Sequence, residues 1–179
     1  MELIDIINEN NELTGEKQDR KTIHKNKMWH RHVNCWIMNK NGEILLQKRA
    51  ACKATNPNQW ATTGGHVITG ETTIEGVLRE INEELGIQLS DSDMELIDIH
   101  KIEKPSSNCF EYEYFTTVDY PIDQYKIQEE ELSDVKYVSI EDVVNIRNNK
   151  DQNYMLTQMD DERFNNEINM LKEKRNKLL

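Results

Sequence analysis

Three glutamates, Glu80, Glu83 and Glu84, lie at positions i, i+3 and i+4 of a segment with helical periodicity. This spacing places their carboxylates together beside one face of an α-helix. Like charges about 4 Å apart repel by ~1 kcal/mol in water and by ~4 kcal/mol near a protein surface. A divalent cation reverses that sign, and oxygen ligands select a hard ion, Mg²⁺ or else Mn²⁺. The spacing therefore predicts a magnesium site on a helix.

The glutamates belong to a longer pattern of fixed spacing. Glu71, Arg79 and two glycines flank them, in the run GHVITGETTIEGVLREINEELGI at 65–87. Nine specified positions match, which chance would give with a probability on the order of 10⁻⁷. Arg79 lies eight residues after Glu71 and four before Glu83, so it can hold a metal-binding carboxylate in one rotamer. The alternative, an acidic solvated helix face, does not account for these flanking residues.

Local sequence patterns also predict where this helix begins and ends. Thr72 followed by Glu75 is a capping-box pattern, and Gly86 is a usual residue just after a helix. Apolar residues recur between them at intervals of three and four. We expect a helix over about 73–85 that buries an apolar stripe and carries the glutamates beside it.

These residues resemble the signature of the Nudix hydrolase superfamily, whose members cleave a nucleoside diphosphate linked to another moiety, or a related pyrophosphate, with a divalent metal. The similarity covers about 30–146 and includes EILLQKRA, QWATTGGHV and VKYVSIEDV outside the glutamate pattern. It implies an α/β/α sandwich around a mixed β-sheet. It also implies Glu71 and Arg79 as a supporting pair, and as metal ligands Glu80, Glu83, Glu84 and a backbone carbonyl near Gly64.

A general base is the next candidate group. Attack of water at phosphorus needs activation of the water and neutralisation of the departing phosphate, and a carboxylate can assist the metal ions in this. Any of the three glutamates in the pattern can serve. Related enzymes often use a glutamate from a later loop, which favours Glu131, with Glu130 beside it. An exposed acidic turn is the alternative for this segment.

A second metal site is suggested by similarity to the isopentenyl-diphosphate isomerase branch of the superfamily. In that branch a histidine six residues before a tryptophan, a histidine after a glycine pair and two later glutamates bind a metal. The positional matches here are His30, His66, Glu111 and Glu113. The two glutamates share one face of a strand because its side chains alternate. Hydrogen-bonded structural histidines are the alternative.

The residue before Gly65 separates hydrolysis from isomerisation. The isomerases carry a cysteine there, because moving an allylic double bond needs a proton donor and acceptor across the carbon skeleton. In this chain the position is Gly64, and the hydrolase pattern is intact. We expect hydrolysis of a diphosphate linkage. An isopentenyl-diphosphate isomerase and a non-catalytic pyrophosphate-binding or scaffold protein remain as alternatives.

Composition limits the partners. The net charge is −11, which disfavours long nucleic acid, and no apolar run is long enough to cross a membrane. The three cysteines form no C-x-x-C pair, so reduced thiols in the cytoplasm are expected rather than disulfides or a zinc site. A small diphosphate is the expected partner, and homodimer formation is left open. The same negative charge makes a metal bridge to a phosphate substrate nearly obligatory.

The 179 residues suit a single domain. It is expected to comprise an N-terminal hairpin at about 1–28, a core at about 30–146 and a C-terminal helix at about 155–176. Within the core, strands on either side of Asn41-Gly42 predict a hairpin with a type I′ turn. Further strands are expected at 59–63, 66–68, 94–103, 110–120 and 134–139, with a short helix at 140–147.

Overall fold

A computed structural model describes residues 2–104 and 107–179. The helices and strands follow in chain order: β1 (Leu3–Ile7), β2 (Leu13–Asp19), α1 (Arg20–Asn26), β3 (Trp29–Met38), β4 (Ile44–Arg49), β5 (Trp60–Ala61), β6 (Thr63–His66), α2 (Thr73–Leu85), β7 (Glu95–Lys104), β8 (Ser107–Thr117), β9 (Leu132–Val138), α3 (Ile140–Asn148) and α4 (Asp161–Leu178). Short 3₁₀ turns lie at Asp91–Asp93, Ile122–Gln124 and Met155–Gln158. The mixture of strands and helices confirms the predicted α/β class.

The chain forms two compact units. The first comprises Met1–Cys35, Gly64–Asn82 and Gln88–Thr116, and the second comprises Trp36–Thr63, Glu83–Ile87 and Thr117–Leu179. Strand β3 and helix α2 each contribute residues to both. The expectation of a single domain stays a prediction.

The N-terminal part of the first unit is a small antiparallel hairpin, β1 and β2, followed by α1. Ile4 and Ile6 of β1 pack with Ile23 of α1 in a buried cluster. The hairpin also holds the loop before α2, because the Leu3 carbonyl accepts a hydrogen bond from the Thr69 amide at 2.8 Å. The Asp5 carboxylate accepts a second one from the Gly70 amide at 3.2 Å.

The sheet of the first unit has the order β3-β8-β7, and β6 pairs with β3. Helix α2 has the predicted ends. The Thr72 hydroxyl accepts from the Glu75 amide at 3.3 Å, and Glu75 accepts from the Thr72 amide at 2.8 Å. Gly86 follows the helix with φ of 70°. Local sequence rules therefore define this helix fully.

The second unit contains the strand order β5-β4-β3, with β9 paired to β4. Its helices α3 and α4 bury apolar side chains, among them Ile140, Val143, Phe164 and Leu171. The tail differs from the expected single helix at 155–176. It begins with a 3₁₀ turn, and α4 starts at Asp161 because the Asp160 side chain caps the Arg163 amide at 2.9 Å.

The turn between β3 and β4 is not type I′, so that prediction was wrong. A type I′ turn needs positive φ at both central residues, and in this loop only Gly42 has it, at 75°. The Gly42 amide instead donates to the Asn39 carbonyl at 3.0 Å, and the Asn39 amide donates to Glu43 at 2.9 Å. The Asn39 side chain stabilises this wider loop by accepting from the Asn41 and Glu43 amides.

No helix within the described residues is both long enough and apolar enough to span a bilayer.

Candidate active site

Arg79 is the centre of a polar network on α2. Its Nε donates to Glu71 Oε1 at 2.7 Å, and its Nη2 donates to Glu71 Oε2 at 3.2 Å. Its Nη1 donates to Glu80 Oε1 at 3.0 Å, and Nη2 also reaches the His66 carbonyl at 2.9 Å. The planar guanidinium makes these contacts in fixed directions. The structure therefore shows that Arg79 holds the carboxylate of Glu80 by a hydrogen bond.

The hydrogen bonds and charges of this network favour the protonated, charged form of Arg79. Burial by itself would lower the pKa of Arg79, but the hydrogen bonds and negative charges of Glu71 and Glu80 outweigh burial and raise it. Glu71 is fixed further by the Ile68 amide, which donates to its Oε2 at 3.1 Å. The carboxylate of Glu80, 15% exposed, is thus held by a cation that cannot lose its proton.

Two glycines bring the strand backbone close to this network. A Cβ on Gly65 would lie 2.1 Å from Glu80 Oε1. A Cβ on Gly64 would lie 2.3 Å from the Val33 carbonyl oxygen. Both distances are shorter than a real Cβ tolerates. Gly64 is therefore required by close packing against backbone, whereas Gly65 makes room for the carboxylate of Glu80, a predicted metal ligand.

The other two glutamates of the pattern differ in environment. Glu83 is exposed, whereas Glu84 is only 5% exposed. Glu84 Oε2 accepts a hydrogen bond from Gln47 Nε2 at 2.7 Å. Gln47 in turn accepts from the Thr63 hydroxyl at 3.0 Å. Gln47 and Thr63 were not predicted, because nothing in a strand pattern shows which polar residue faces a given helix.

The proposed base Glu131 lies just before β9, beside the loop that follows β4. Its Oε2 forms an ion pair with Lys53 Nζ, and its backbone carbonyl accepts from the Ala50 amide at 2.8 Å. The side chain of Glu131 is 34% exposed. The carboxylate is therefore accessible and positioned by Lys53, and its role as a base stays a prediction.

A cluster of histidines forms a second polar centre in the first unit. One ring nitrogen from each of His24, His30 and His66 lies within 4.8 Å of the others. His24 Nε2 and His66 Nε2 are 3.0 Å apart, and the rings of His30 and His66 stack at 5.1 Å. His24 was missed because the helix α1 that carries it was not predicted. Asp19, whose side chain caps that helix at the Thr22 amide, was the available signal.

The tautomer of His30 follows from its contacts. Its Nδ1 lies 3.0 Å from the Met28 carbonyl and must donate to it, which leaves a lone pair on Nε2. Nε2 is buried and has no hydrogen-bond partner in the described part of the chain. Burial, opposed by the Met28 bond and assisted by neighbouring cationic groups, lowers the pKa of His30 to about 4. Burial lowers the pKa of His66 as well, and the positive charges of neighbouring histidines and of Arg20 lower it further. A neutral imidazole with a free Nε2 lone pair, as in His30, can bind a metal ion.

Glu111 and Glu113 were predicted to complete this second site. Glu111 Oε2 lies 3.2 Å from His32 Nδ1, and Glu113 Oε1 accepts from Asn34 Nδ2 at 2.7 Å. Both glutamates lie on β8 two residues apart, so their side chains share one face of the strand, as predicted. The ligand atoms grouped in the histidine cluster belong to His24, His30 and His66, without either glutamate. The participation of the two glutamates in metal binding therefore stays a prediction.

A NUDIX domain family model matches residues 28–159 of this chain. Nudix hydrolase 3 of Arabidopsis thaliana is 32% identical over 86% of this chain, but the match spans only 21% of that longer protein. An uncharacterized Nudix hydrolase of Clostridium acetobutylicum is 31% identical over 83% of this chain and 75% of its own length. An isopentenyl-diphosphate Delta-isomerase of Salmonella heidelberg is 34% identical over a shorter segment, 44% of this chain and 42% of the isomerase.

A crystal structure from Deinococcus radiodurans shares the fold. It aligns with a TM-score of 0.68 at 23% identity and covers 82% of this chain and 90% of the other. The predicted fold and the predicted resemblance are thereby confirmed. With the intact glutamate pattern on a capped helix and the family match over most of its length, the chain belongs to the Nudix hydrolase family.

Proposed function

We propose that this protein is a divalent-metal-dependent hydrolase that cleaves a diphosphate linkage in a nucleoside diphosphate derivative or a related small molecule. The observation that carries the proposal is the support given to two glutamates of the pattern. Arg79 and Gly65 fix Glu80, and Gln47 fixes Glu84. Such support for neighbouring carboxylates is expected where they bind a metal.

The donor set fits a hard cation. Glu80, Glu83 and Glu84 offer carboxylate oxygens from successive turns of α2, and the family resemblance adds the carbonyl near Gly64. This composition favours Mg²⁺, with Mn²⁺ as the alternative. When bound, the ion would neutralise phosphate charge and acidify a coordinated water. The chain itself would hold the ligands in place and keep Arg79 positively charged behind them.

Glu131 is proposed as the base that receives the proton of the attacking water. Its exposure permits contact with solvent and substrate, and the Lys53 ammonium fixes the direction of its carboxylate. Arg79 is proposed to position ligands rather than to contact the substrate. Catalytic roles are thus assigned to the three glutamates of the pattern and to Glu131.

The deciding experiment is a screen with Mg²⁺ of nucleoside di- and triphosphates, nucleotide sugars, dinucleoside polyphosphates, coenzyme A and isoprenoid diphosphates. We expect phosphate or nucleotide release that disappears in Glu83→Gln and Glu84→Gln proteins. Double-bond position is followed in parallel for the isoprenoids. Isomerised product without hydrolysis would overturn the proposal, and metal binding without any turnover would favour a non-catalytic binding protein.

The isomerase remains the second candidate because of the histidine cluster. We propose that His30 and His66, together with His24, hold a second metal ion, and that Glu111 and Glu113 approach it. Three imidazoles favour a borderline ion such as Zn²⁺ over Mg²⁺. Metal analysis of wild-type and His30→Asn proteins tests this, and equal zinc content in both would exclude the site.

Cys35, the cysteine on β3, is not placed to supply the isomerase residue. Cys35 follows Asn34 on β3 and therefore faces away from the side that carries His32 and Asn34. Burial, assisted by the charge of Glu113, raises the pKa of Cys35 well above its ordinary value. Gly64 thus stands at the expected position of that residue, which favours hydrolysis.

A further inference from the structure

We propose that Thr63 and Gln47 form a buried hydrogen-bond relay that positions Glu84 for metal binding, which makes Gln47 and Thr63 positioning residues of the reaction. The inference rests on the proposed function, since it assumes that Glu84 binds the metal ion.

The relay joins three residues of the second unit, each from a different structural element. Thr63 is the first residue of β6, Gln47 lies in β4, and Glu84 lies in the last turn of α2. Thr63 and Gln47 are each 2% exposed, and Glu84 is 5% exposed. A buried polar group without a hydrogen bond destabilises the folded state, so these three buried polar side chains must satisfy one another. Their mutual bonds, 3.0 and 2.7 Å long, do this.

The relay has only one direction when Glu84 is ionised. A carboxylate can only accept, so the amide nitrogen of Gln47 must face it. The amide oxygen of Gln47 then faces Thr63, whose hydroxyl must donate. Turning the Gln47 amide over would set its oxygen against the carboxylate and its NH₂ group against Thr63. The ionised Glu84 therefore selects this orientation of the Gln47 amide, and the Thr63 hydroxyl, which can rotate, donates to the amide oxygen and holds Gln47 in place.

Gln47 and Arg79 support their glutamates in different ways. Arg79 is a cation and offsets part of the charge of Glu80, whereas the Gln47 amide is neutral. The bond from Gln47 therefore fixes the rotamer of Glu84 without adding positive charge beside it. This is useful for a ligand whose negative charge must attract a divalent ion. The two contacts together orient ligands at positions i and i+4 of one helix.

The test is titration of Mn²⁺ into the full chain by calorimetry, with no substrate present. We expect Gln47→Met to raise the dissociation constant by about 10- to 100-fold, the range seen when partners of metal ligands are removed. Thr63→Val should raise it by about 3-fold, because it removes only the hydrogen bond that holds the amide oxygen of Gln47. Glu84→Gln serves as the reference for loss of the ligand.

Thr116→Val is the matched control. Thr116 is 1% exposed and donates one hydrogen bond, at 2.7 Å, to the Asp93 carbonyl. The Thr116 hydroxyl is thus buried and hydrogen-bonded much as the Thr63 hydroxyl is. The Thr116→Val protein should bind Mn²⁺ with the affinity of the wild type. An equal loss of affinity in Thr116→Val and Thr63→Val would overturn the relay, because general destabilisation would then explain both.

The outcomes separate the relay from the metal site. If Glu84→Gln weakens Mn²⁺ binding while Gln47→Met and Thr63→Val bind as the wild type does, the relay is wrong and the metal site stands. If Glu84→Gln binds Mn²⁺ as the wild type does, the proposed metal site itself fails. Should Gln47→Met not fold, Thr63→Val against Thr116→Val decides alone.

Discussion

Gly65 and Glu80 are in such close contact that a single added carbon on Gly65 would lie 2.1 Å from a carboxylate oxygen of Glu80. The glycine belongs to β6 and the glutamate to α2. The contact explains why the pattern requires a glycine at this point although its φ is not positive. The reason is space for a ligand, rather than backbone conformation.

Replacing Gly65 should therefore affect metal binding more than folding. In Gly65→Ala the Glu80 carboxylate must move away from its position beside Arg79, and we expect Mg²⁺ affinity to fall by about 10- to 100-fold. In Gly64→Ala the added carbon meets backbone, the Val33 carbonyl, so stability should fall by about 1–3 kcal/mol. Calorimetric titration and urea unfolding of both proteins measure the difference. Similar metal affinity for Gly65→Ala and the wild type would refute the explanation.

Arg79→Lys should be harmful although it keeps the charge. Lysine cannot reproduce the planar contacts with Glu71, Glu80 and the His66 carbonyl. We expect a loss of about 2 kcal/mol in the free energy of unfolding, as for hydrogen bonds to charged groups. The comparison is Arg49→Lys, whose exposed bonds to Thr55 should cost less than about 0.5 kcal/mol. Equal losses in urea unfolding would show that the network is not special.

Stability in the presence of a chelator should fall with acidification. The folded-state pKa of His30 is lowered to about 4 from 6.5, so the unfolded chain binds a proton that the folded chain excludes. This contribution is complete above pH 6.5 and is lost as the pH falls towards 4. Between pH 7 and pH 5 it amounts to about 2 kcal/mol. Urea unfolding at pH 7 and pH 5 should show a smaller change in the free energy of unfolding for His30→Asn than for the wild type. The same change in both proteins would contradict the assignment of this pH dependence to His30.

Two ion pairs formed by residues of α4 should contribute differently to the free energy of unfolding. Glu167, 3% exposed, accepts from Trp36 Nε1 at 3.0 Å and from Arg163 Nε at 2.5 Å. Arg163→Met removes a charged partner from a buried carboxylate, and we expect a loss of about 3 kcal/mol. Arg175→Met removes a partner from Glu141, which is 60% exposed, and should cost under about 1 kcal/mol. Thermal and urea unfolding measure the loss of stability in both variants. A larger loss in Arg175→Met than in Arg163→Met would contradict the greater importance of the buried ion pair.

Features that depend on neighbouring residues were predictable from the sequence. The cap at Thr72, the end at Gly86 and the placement of three glutamates on one helix all follow from spacing within a dozen residues. The turn at Asn41-Gly42 shows the limit of such rules. The side chain of Asn39 stabilises a wider loop than the Asn-Gly pair alone predicts.

Features that depend on contacts between distant segments were not predictable. Gln47 lies 37 positions before Glu84, and a polar residue in a buried strand gives no sign of its partner. His24 was missed because α1 has only seven residues and weak periodicity. His30 and His66 were found only through resemblance, since their 36-residue separation carries no local signal.

The bonds from β1 to the loop before α2 affect how the protein can be shortened. The family match starts at residue 28, but Leu3 and Asp5 bond the amides of Thr69 and Gly70, directly before Glu71. A recombinant fragment cut to the matched boundaries would leave both amides to water and would uncover Met28, which packs against Ile4, Ile6 and Ile23. The smallest fragment that keeps Glu71 anchored must therefore include the first strand.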